Sequence, residues 1–549
     1  MKNILIKSFL SLIFCLNLYG QANLVPINNR IYDFLERMTV KDALDFNSFF
    51  KPISRKEIAA MLHEIEPEKL SDVEKEELIY LKQEFNREII SIINPNQNFN
   101  GKLNLLWAGS TEDRLNLLDY NSPHFNFTFN PILGLSVRNI YDELQLKRWW
   151  GFSFYGDIND FSFQGDFRDN WEQGDNLDKD YRFNDKTGPI ILKSTTNTIE
   201  YSETRGAVLY SNEWMTIGAV KELFNLGSGY RSQLVLSQKA PSFPSIYLKL
   251  APVEWLQFNY LHGWLISRIE DTLLTYKTFI QGRDRRIYRD KYFVMHDIQI
   301  KPFSDLTLNL GETVIYSDNG VYWGYLIPFL FFRSVDHMFE GGGGSNAGNN
   351  GSLFFDINYK FLSKFKTYFS VFIDELSLSD LLDGSSDRNQ FAYSIGLHAY
   401  DFGISNLGAR IEYSRILPWV YSNFVQTQTY TNSNYLLGHY IGQNSDQLFL
   451  QLDYRLLRGL EFKFWGEMIR RGGFDDVANQ YTDPGEPFLY GLRRNETNLG
   501  LEITYEYIHD LSGRISYQYS DITDEDALRT PEFMMGRQHS FSVGFYYGL

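Results

Sequence analysis

This chain of 549 residues holds a single cysteine, Cys15, inside its N-terminal leader-like stretch. Beyond that position, disulfides and thiolate-ligated zinc are excluded as ways of holding a fold together. Long apolar runs are missing too. The best interior candidate, "WGYLIPFLFF", is broken by Pro328 and falls well short of the roughly 20 residues that a membrane-crossing helix needs. A basic stripe is likewise absent: 52 lysines and arginines against 68 acidic residues leave a net charge of -16, which argues against a nucleic-acid partner. After residue 100 there is no Pro/Ser linker and no shift of composition, although a soluble chain of this length would be expected to split into several domains. What the chain has in abundance is aromatic side chains, 16% of the total with 36 Tyr and 44 Phe, alongside a negative mean hydropathy. Aromatic and polar residues must therefore alternate.

Met1 to Ala22 carries Lys2 and Lys7, an apolar run from Ser8 to Leu18 and the small-residue ending "GQA", which reads as a secretory signal peptide over residues 1–22. The bulky Phe14 ahead of Cys15 argues against lipid attachment there. Residues 23–98 read as a small helical region. In "PINNRIYDFLERM", Ile31, Phe34, Leu35 and Met38 share one helix face that Asn28 or Asn29 can cap. Ser54 with Glu57 has capping-box spacing, as does Ser71 with Glu74, each ahead of an apolar stripe. The spacing predicts three short amphipathic helices, and their lone His63 has no partner at metal-ligand spacing.

From about Gly101 the period drops to two. "HFNFTFN", "LFLQLDY" and "LGLEITYEY" each alternate apolar and polar side chains, which puts one kind on each face of a strand. The pattern persists to the end of the chain, with Tyr and Trp at strand ends, as in the aromatic girdles of outer-membrane barrels. At one strand and its connection per 22 to 28 residues, residues 99–549 accommodate on the order of 16 to 20 strands. The fold class predicted is mostly β: a large antiparallel transmembrane β-barrel behind a small N-terminal α-helical region. The last strand, "FSVGFYYGL", sets Phe541, Val543, Phe545, Tyr547 and Leu549 on one face, which suits recognition by the barrel-insertion machinery.

"GSGYRSQLVLSQKAPSFPSIYLKL", Gly227 to Leu250, is no phosphate loop, because it lacks the closing Lys-Ser or Lys-Thr pair. It is no nucleophile elbow either, since its serine is flanked directly by glycines and no helix follows. Two prolines bar Gly227–Pro244 from being an uninterrupted central strand. The segment is therefore expected to fold inward or to cap the barrel. His296 and Asp297 are adjacent and face opposite ways on a strand, and His398 with Asp401 has no serine partner, so catalysis, cofactors and metals are not expected.

The run "MTIGAVKELFNLGSGYRSQLVLSQKAPSFPSIYLKL" resembles the signature region of the Wzi capsule-assembly family. "VPINNRIYDFLERM" and "FKPISRKEIAAML" ahead of it, and "YLIPFLFFRSVDHMFE" and "FSVFIDEL" after it, stand in the family's order. The resemblance implies an outer-membrane barrel with a periplasmic helical bundle, acting as a lectin-like anchor for capsular or other surface polysaccharide. A porin or solute transporter is the alternative, and the N-terminal piece also resembles, more weakly, surface-layer homology modules. Partners expected are the polysaccharide, outer-membrane lipids and the insertion machinery. Sugar contacts call for aromatic rings beside charged or amide groups. Three stretches offer both as candidate binding loops: Arg148, Trp149 and Trp150; Arg283, Arg285, Arg286 and Arg289; and the stretch holding Trp419 and Tyr421. "EGGGGSNAGNNGS" reads as a mobile loop.

Overall fold

A computed structural model describes residues 22–46, 48–94, 101–105, 115–339, 348–376, 389–474, 477–481 and 485–548. Residues 1–21 of the expected signal peptide, most of the glycine-rich loop and Leu549 lie outside the described residues.

Eighteen long antiparallel strands close into a barrel. In chain order they are β1 (Phe125–Ile140), β2 (Glu143–Ile158), β3 (Phe161–Gln173), β4 (Thr198–Ser211), β5 (Met215–Glu222) and β6 (Phe243–Val253). Then come β7 (Leu256–Glu270), β8 (Tyr288–Phe303), β9 (Leu306–Ser317), β10 (Asn350–Phe361), β11 (Phe365–Glu375) and β12 (Gln390–Tyr400). The wall is completed by β13 (Leu407–Ile416), β14 (Ser445–Leu457), β15 (Leu460–Arg471), β16 (Arg494–Ile508), β17 (Leu511–Asp524) and β18 (Gly536–Tyr547). Each pairs with its neighbour in sequence, and β18 closes on β1 through the pairs from Phe541↔Asn139 to Tyr547↔Leu133. The free lower edge of β1 is covered by a short strand, Leu118–Asn121, itself paired with Lys102–Leu105. Closure of β18 on β1 removes the open edges that the ends of an eighteen-stranded sheet would otherwise present.

The alternation read from the sequence has its apolar side outward. Leu133, Leu135 and Val137 of β1, Leu499 and Leu501 of β16, and Phe541 and Phe545 of β18 are exposed on the outer wall. The inward positions are polar and in part fully buried: Asn259, Asp297, Asn309, Ser394 and Asp453 have 0% exposure. A barrel greasy outside and polar inside has the polarity of a wall made for lipid. Turns at one mouth are short, as at Val253 to Leu256 and Phe303 to Leu306, and connections at the other are long, apart from the two-residue turn between β1 and β2.

The helical region covers the short-turn mouth. Among the described residues it has four α-helices rather than the three expected: α1 (Ile31–Val40), α2 (Arg55–Glu64), α3 (Asp72–Glu84) and α4 (Asn86–Ile93). The long third stripe breaks at Phe85, where the backbone leaves helical geometry, and both halves keep their apolar side on one core. Both capping boxes form, and Asn29 accepts from the Ile31 amide at the start of α1. The buried face of these helices is apolar, Ile31, Phe34, Leu35, Ile58, Leu62 and Leu78 among others. Ion pairs fasten the region to the barrel's foot: Lys41 to Asp401 at 2.6 Å, Arg30 to Glu506 at 3.0 Å, Asp42 to Lys360 at 3.1 Å and Glu36 to Lys366.

Two carboxyls in α1 make this docking acid-sensitive. Burial alone would raise them, but Lys366, His398 and Lys51 hold Glu36 at about 2, and Lys463, Arg410 and Arg455 hold Asp33 at about 2. Depressed folded-state values mean that their stabilisation is complete above the ordinary carboxyl range near pH 4 and is lost as pH falls toward 2. Energy transfer between a dye on α3 and one on a short barrel turn is expected to stay constant from pH 8 to 5 and to drop between pH 4 and 2. Glu36→Gln should flatten that drop. A loss of transfer already at pH 6 would contradict the assignment.

One long connection, residues 318–339, takes an unusual route. On β8, Asp297 faces the lumen, so its neighbour His296 faces outward, and there its Nδ1 lies 2.8 Å from the Pro328 carbonyl. Tyr260 of β7 donates to the Tyr325 carbonyl at 2.7 Å, Glu312 of β9 accepts from the Phe332 amide at 2.7 Å, and Phe329 packs on Phe258 at 4.8 Å. The connection, with helix α5 (Phe332–Phe339), thus lies against the outer wall over β7, β8 and β9.

Candidate functional site

The segment after β5 turns inward at Leu223 and fills the lumen, as the two prolines suggested. Pro241 lies before β6, and Pro244 at its start pairs with Lys221. The path needs its glycines. Gly227 has φ +126, a conformation that side-chain-bearing residues avoid, and a Cβ on Gly229 would strike the Ser232 carbonyl at 2.1 Å. The wall supplies carboxylates to the incoming amides. Asp356 accepts from the Ser228 amide at 3.0 Å, and Glu412 accepts from Tyr230 at 2.6 Å and Arg231 at 3.2 Å while Tyr368 donates to it from the side. Arg231 reaches Glu467 at 3.0 Å and Asp185 at 2.6 Å, with its guanidinium beside the rings of Tyr440, Phe449 and Trp465. Bonds of this kind to a charged partner contribute roughly 1.5–3 kcal/mol each. The apolar half of the segment, Leu234, Val235 and Leu236, packs against inward residues such as Phe243, Leu261 and Phe293. On its lower side Leu226 pairs with Phe50, which ties the plug to the helical region.

A second connection, residues 417–444, also dips inward and rests on the first. Tyr421 donates to the Leu234 carbonyl at 2.6 Å, Tyr430 to the Val235 carbonyl at 3.0 Å, and the Ser237 amide to the Leu437 carbonyl at 2.7 Å. A third, residues 174–197, is drawn in by Lys239, whose ammonium donates to the carbonyls of Tyr181, Asn184 and Lys186. The lumen is thus blocked by protein at mid-height and again by the helices at the short-turn mouth.

The sequence candidates scatter. Arg148, Trp149 and Trp150 lie within strand β2, not in a loop: the sequence cluster was misassigned because a mixed aromatic and charged stretch looks the same in either setting. Period two then splits the trio. Trp150 faces outward at 57% exposure and Arg148 stacks beside it on Trp171 at 4.4 Å, whereas Trp149 points inward near Tyr546. Arg283, Arg285 and Arg286 are exposed on a long-loop ribbon whose short strands, Tyr276–Lys277 and Asp284–Arg285, pair with each other. Arg289 belongs to β8 and lies 3.8 Å from Asp318. Trp419 and Tyr421 are not on an open loop surface but are folded inward and buried, Tyr421 within the plug. Trp419 still borders a cavity of about 590 Å³ at the rim, together with Asp336, Asp374, Gln390 and Phe424.

A further cavity of about 340 Å³, which the sequence did not reveal, lies between the third inward connection and the wall of β15 to β18 and β1 to β3. It opens at the long-loop rim beside Asp178 and Pro531 and is lined by Arg138, Gln145, Trp465, Asn498 and Gln518. Phe183 lies within it between the guanidinium groups of Arg494, at 4.3 Å, and Arg471, at 5.2 Å. Rings, amides and charges together are the equipment of a saccharide site.

Comparisons with known proteins agree with the architecture. The family described as capsule assembly protein Wzi matches residues 149–532. Among solved structures, Wzi of Escherichia coli, reported as an outer-membrane protein of group 1 capsule assembly and a carbohydrate-binding β-barrel, superposes with a TM-score of 0.57 at 11% identity, covering 96% of this chain and 100% of that one. The outer-membrane protein OprD of Pseudomonas aeruginosa matches less well, with a TM-score of 0.41 at 13% identity over 77% of this chain and 95% of that one. No curated protein sequence matches.

Proposed function

This chain belongs to the Wzi family of capsule assembly proteins, and from that premise we propose that it is an outer-membrane anchor holding capsular or other surface polysaccharide on the cell without catalysing a reaction. The observation that carries the reading is the filled lumen. A porin needs an open polar channel, whereas here Glu412, Asp356 and Glu467 fix a plug inside the wall. The carbohydrate binding reported for the Escherichia coli barrel supports the same role.

In this reading the short turns and the helical region face the periplasm and the long connections face outward, following the usual sidedness of such barrels. Bilayer lipids contact the apolar belt, and the last strand is what the insertion machinery meets. Arg283, Arg285 and Arg286 are the outermost cationic contacts for a polymer, and Trp419 offers a ring at the rim. Arg148 and Trp150 serve the lipid-facing girdle instead.

Deleting the chain in its host and measuring polysaccharide attached to cells against polysaccharide released into the medium tests the reading. Unchanged total synthesis with most of the material shifted to the released fraction is expected. Unchanged retention would refute the anchor and return attention to transport.

A further inference from the structure

The charges around the 340 Å³ cavity are close to even in number but are not all paired. Most of its carboxylates are engaged. Glu172 pairs with Lys147 at 2.9 Å and accepts from Tyr181 at 2.7 Å, Asp185 and Glu467 hold Arg231, Glu496 lies 3.3 Å from Arg471, and Glu502 lies 3.6 Å from Arg514. Asp178 accepts from the Asn184 amide at 2.9 Å and, like Asp180 beside it, is in no ion pair among the described residues. Three cations have no such partner. Among the described residues Arg138 and Lys186 make no ion pair, and Arg182 touches only the rings of Phe183 and Phe474.

These three come from different parts of the chain, β1 and the third inward connection, and converge on one opening. The Lys186 side chain reaches water. Even so, enclosure by the barrel mouth, with the charges of Arg138 and Lys147 close by, lowers its ammonium to about 8 against the opposing pull of Glu172 and Asp185. In a protein with a net charge of -16, three cations without ion-pair partners at one opening are the groups left to meet an anion. Beside it are a ring, Trp465, and neutral donors and acceptors, Gln145, Asn498 and Gln518. The volume lies within the range of about 300–1,000 Å³ typical of small-ligand sites. A bare phosphate would use the cations alone and leave the ring and the amides idle. A sugar carrying a carboxylate would use all of them.

We propose that this cavity is a subsite for a uronic-acid unit of the retained polysaccharide, with Arg138, Arg182 and Lys186 holding its carboxylate and Trp465 flanking its ring. The proposal rests on the anchor reading and narrows it to an acidic polymer, one segment or end of which enters the barrel mouth.

The test uses the full chain in detergent and oligosaccharides hydrolysed from the host's own surface polysaccharide, both native and after chemical reduction of their carboxylates to alcohols. Native fragments are expected to bind the unaltered protein at least tenfold more tightly than reduced ones. The double variant Arg138→Gln with Lys186→Gln should bind native and reduced fragments alike, at the weaker level. Retained fast mobility on an unboiled gel shows that the variant barrel is folded, and Lys186→Arg should restore part of the preference.

Equal binding of native and reduced fragments by the unaltered protein would overturn the acidic subsite while leaving the anchor in place. Absence of binding to either, with unchanged retention in the deletion strain, would remove the anchor itself. Displacement of the fragments by millimolar inorganic phosphate but not by free galacturonate would assign the cations to a phosphate group and also overturn the proposal.

Discussion

Planar bilayers holding the intact protein are expected to stay silent, and those holding a version opened at both levels are expected to conduct. The opened version lacks residues 22–94 and carries short Gly-Ser connections in place of 224–241 and 418–443. Eighteen strands enclose a lumen wide enough for an aqueous channel once it is cleared. The blockage is arranged in series. The helices close the short-turn mouth through pairs such as Lys41 with Asp401, and the plug closes mid-height through Glu412 and Asp356. Removing the helices alone should therefore change conductance little, and removing the inward connections alone should do the same. Only the combination should yield steady open-channel currents, in a barrel that still runs as a folded species on an unboiled gel. Steady currents from the intact protein would restore the porin alternative.

Arg231→Ala is expected to be among the most damaging single substitutions. Its guanidinium is 18% exposed and bridges Glu467, 4% exposed, to Asp185 across the lumen. Removing it leaves a buried carboxylate without its cation, a loss of about 3–5 kcal/mol. Tyr440, Gln447 and Asn498 still donate to Glu467, so the change should fall short of unfolding the wall. Arg231→Lys keeps the charge but cannot reach both carboxylates at once and should be intermediate. Urea titration of the detergent-folded protein reads the effect as a shift in midpoint at constant slope. A loss below about 1 kcal/mol, the range of ordinary substitutions, would mean that the plug is held mainly by its apolar half.

Much of the wall was legible because period two is a local signal. "LGLEITYEY" became β16, with Leu499 and Leu501 outside and Gly500 and Glu502 inside, and the capping boxes at Ser54 and Ser71 fixed two helix starts. The kink at Phe85 was hidden because Leu78, Leu81, Phe85 and Ile89 keep helical spacing across it. Inward folding of "GSGYRS" was legible through its prolines and glycines. That of residues 417–444 was not, because its bonds to Leu234 and Val235 join positions nearly two hundred residues apart. The candidate sites fared worst. "KRWW" carries the right residue types, but strand parity sends Trp149 and Trp150 to opposite solvents. Arg138 and Lys186 become neighbours only through the barrel register and the path of a loop, neither of which a single stretch of sequence encodes.

The joint between β18 and β1 gives the ring a mechanical character. Its ladder holds seven residue pairs, from Phe541 to Tyr547, whereas β1 and β2 share sixteen. Circumferential tension, such as crowding in a curved membrane imposes, is carried equally by every joint in a closed hoop, so the short ladders, this one and the six pairs between β4 and β5, limit the tensile strength of the whole. The protein is in this sense a belt with a short buckle. The strand that fastens it comes after the other seventeen in chain order, so the buckle can close only after the rest of the belt exists.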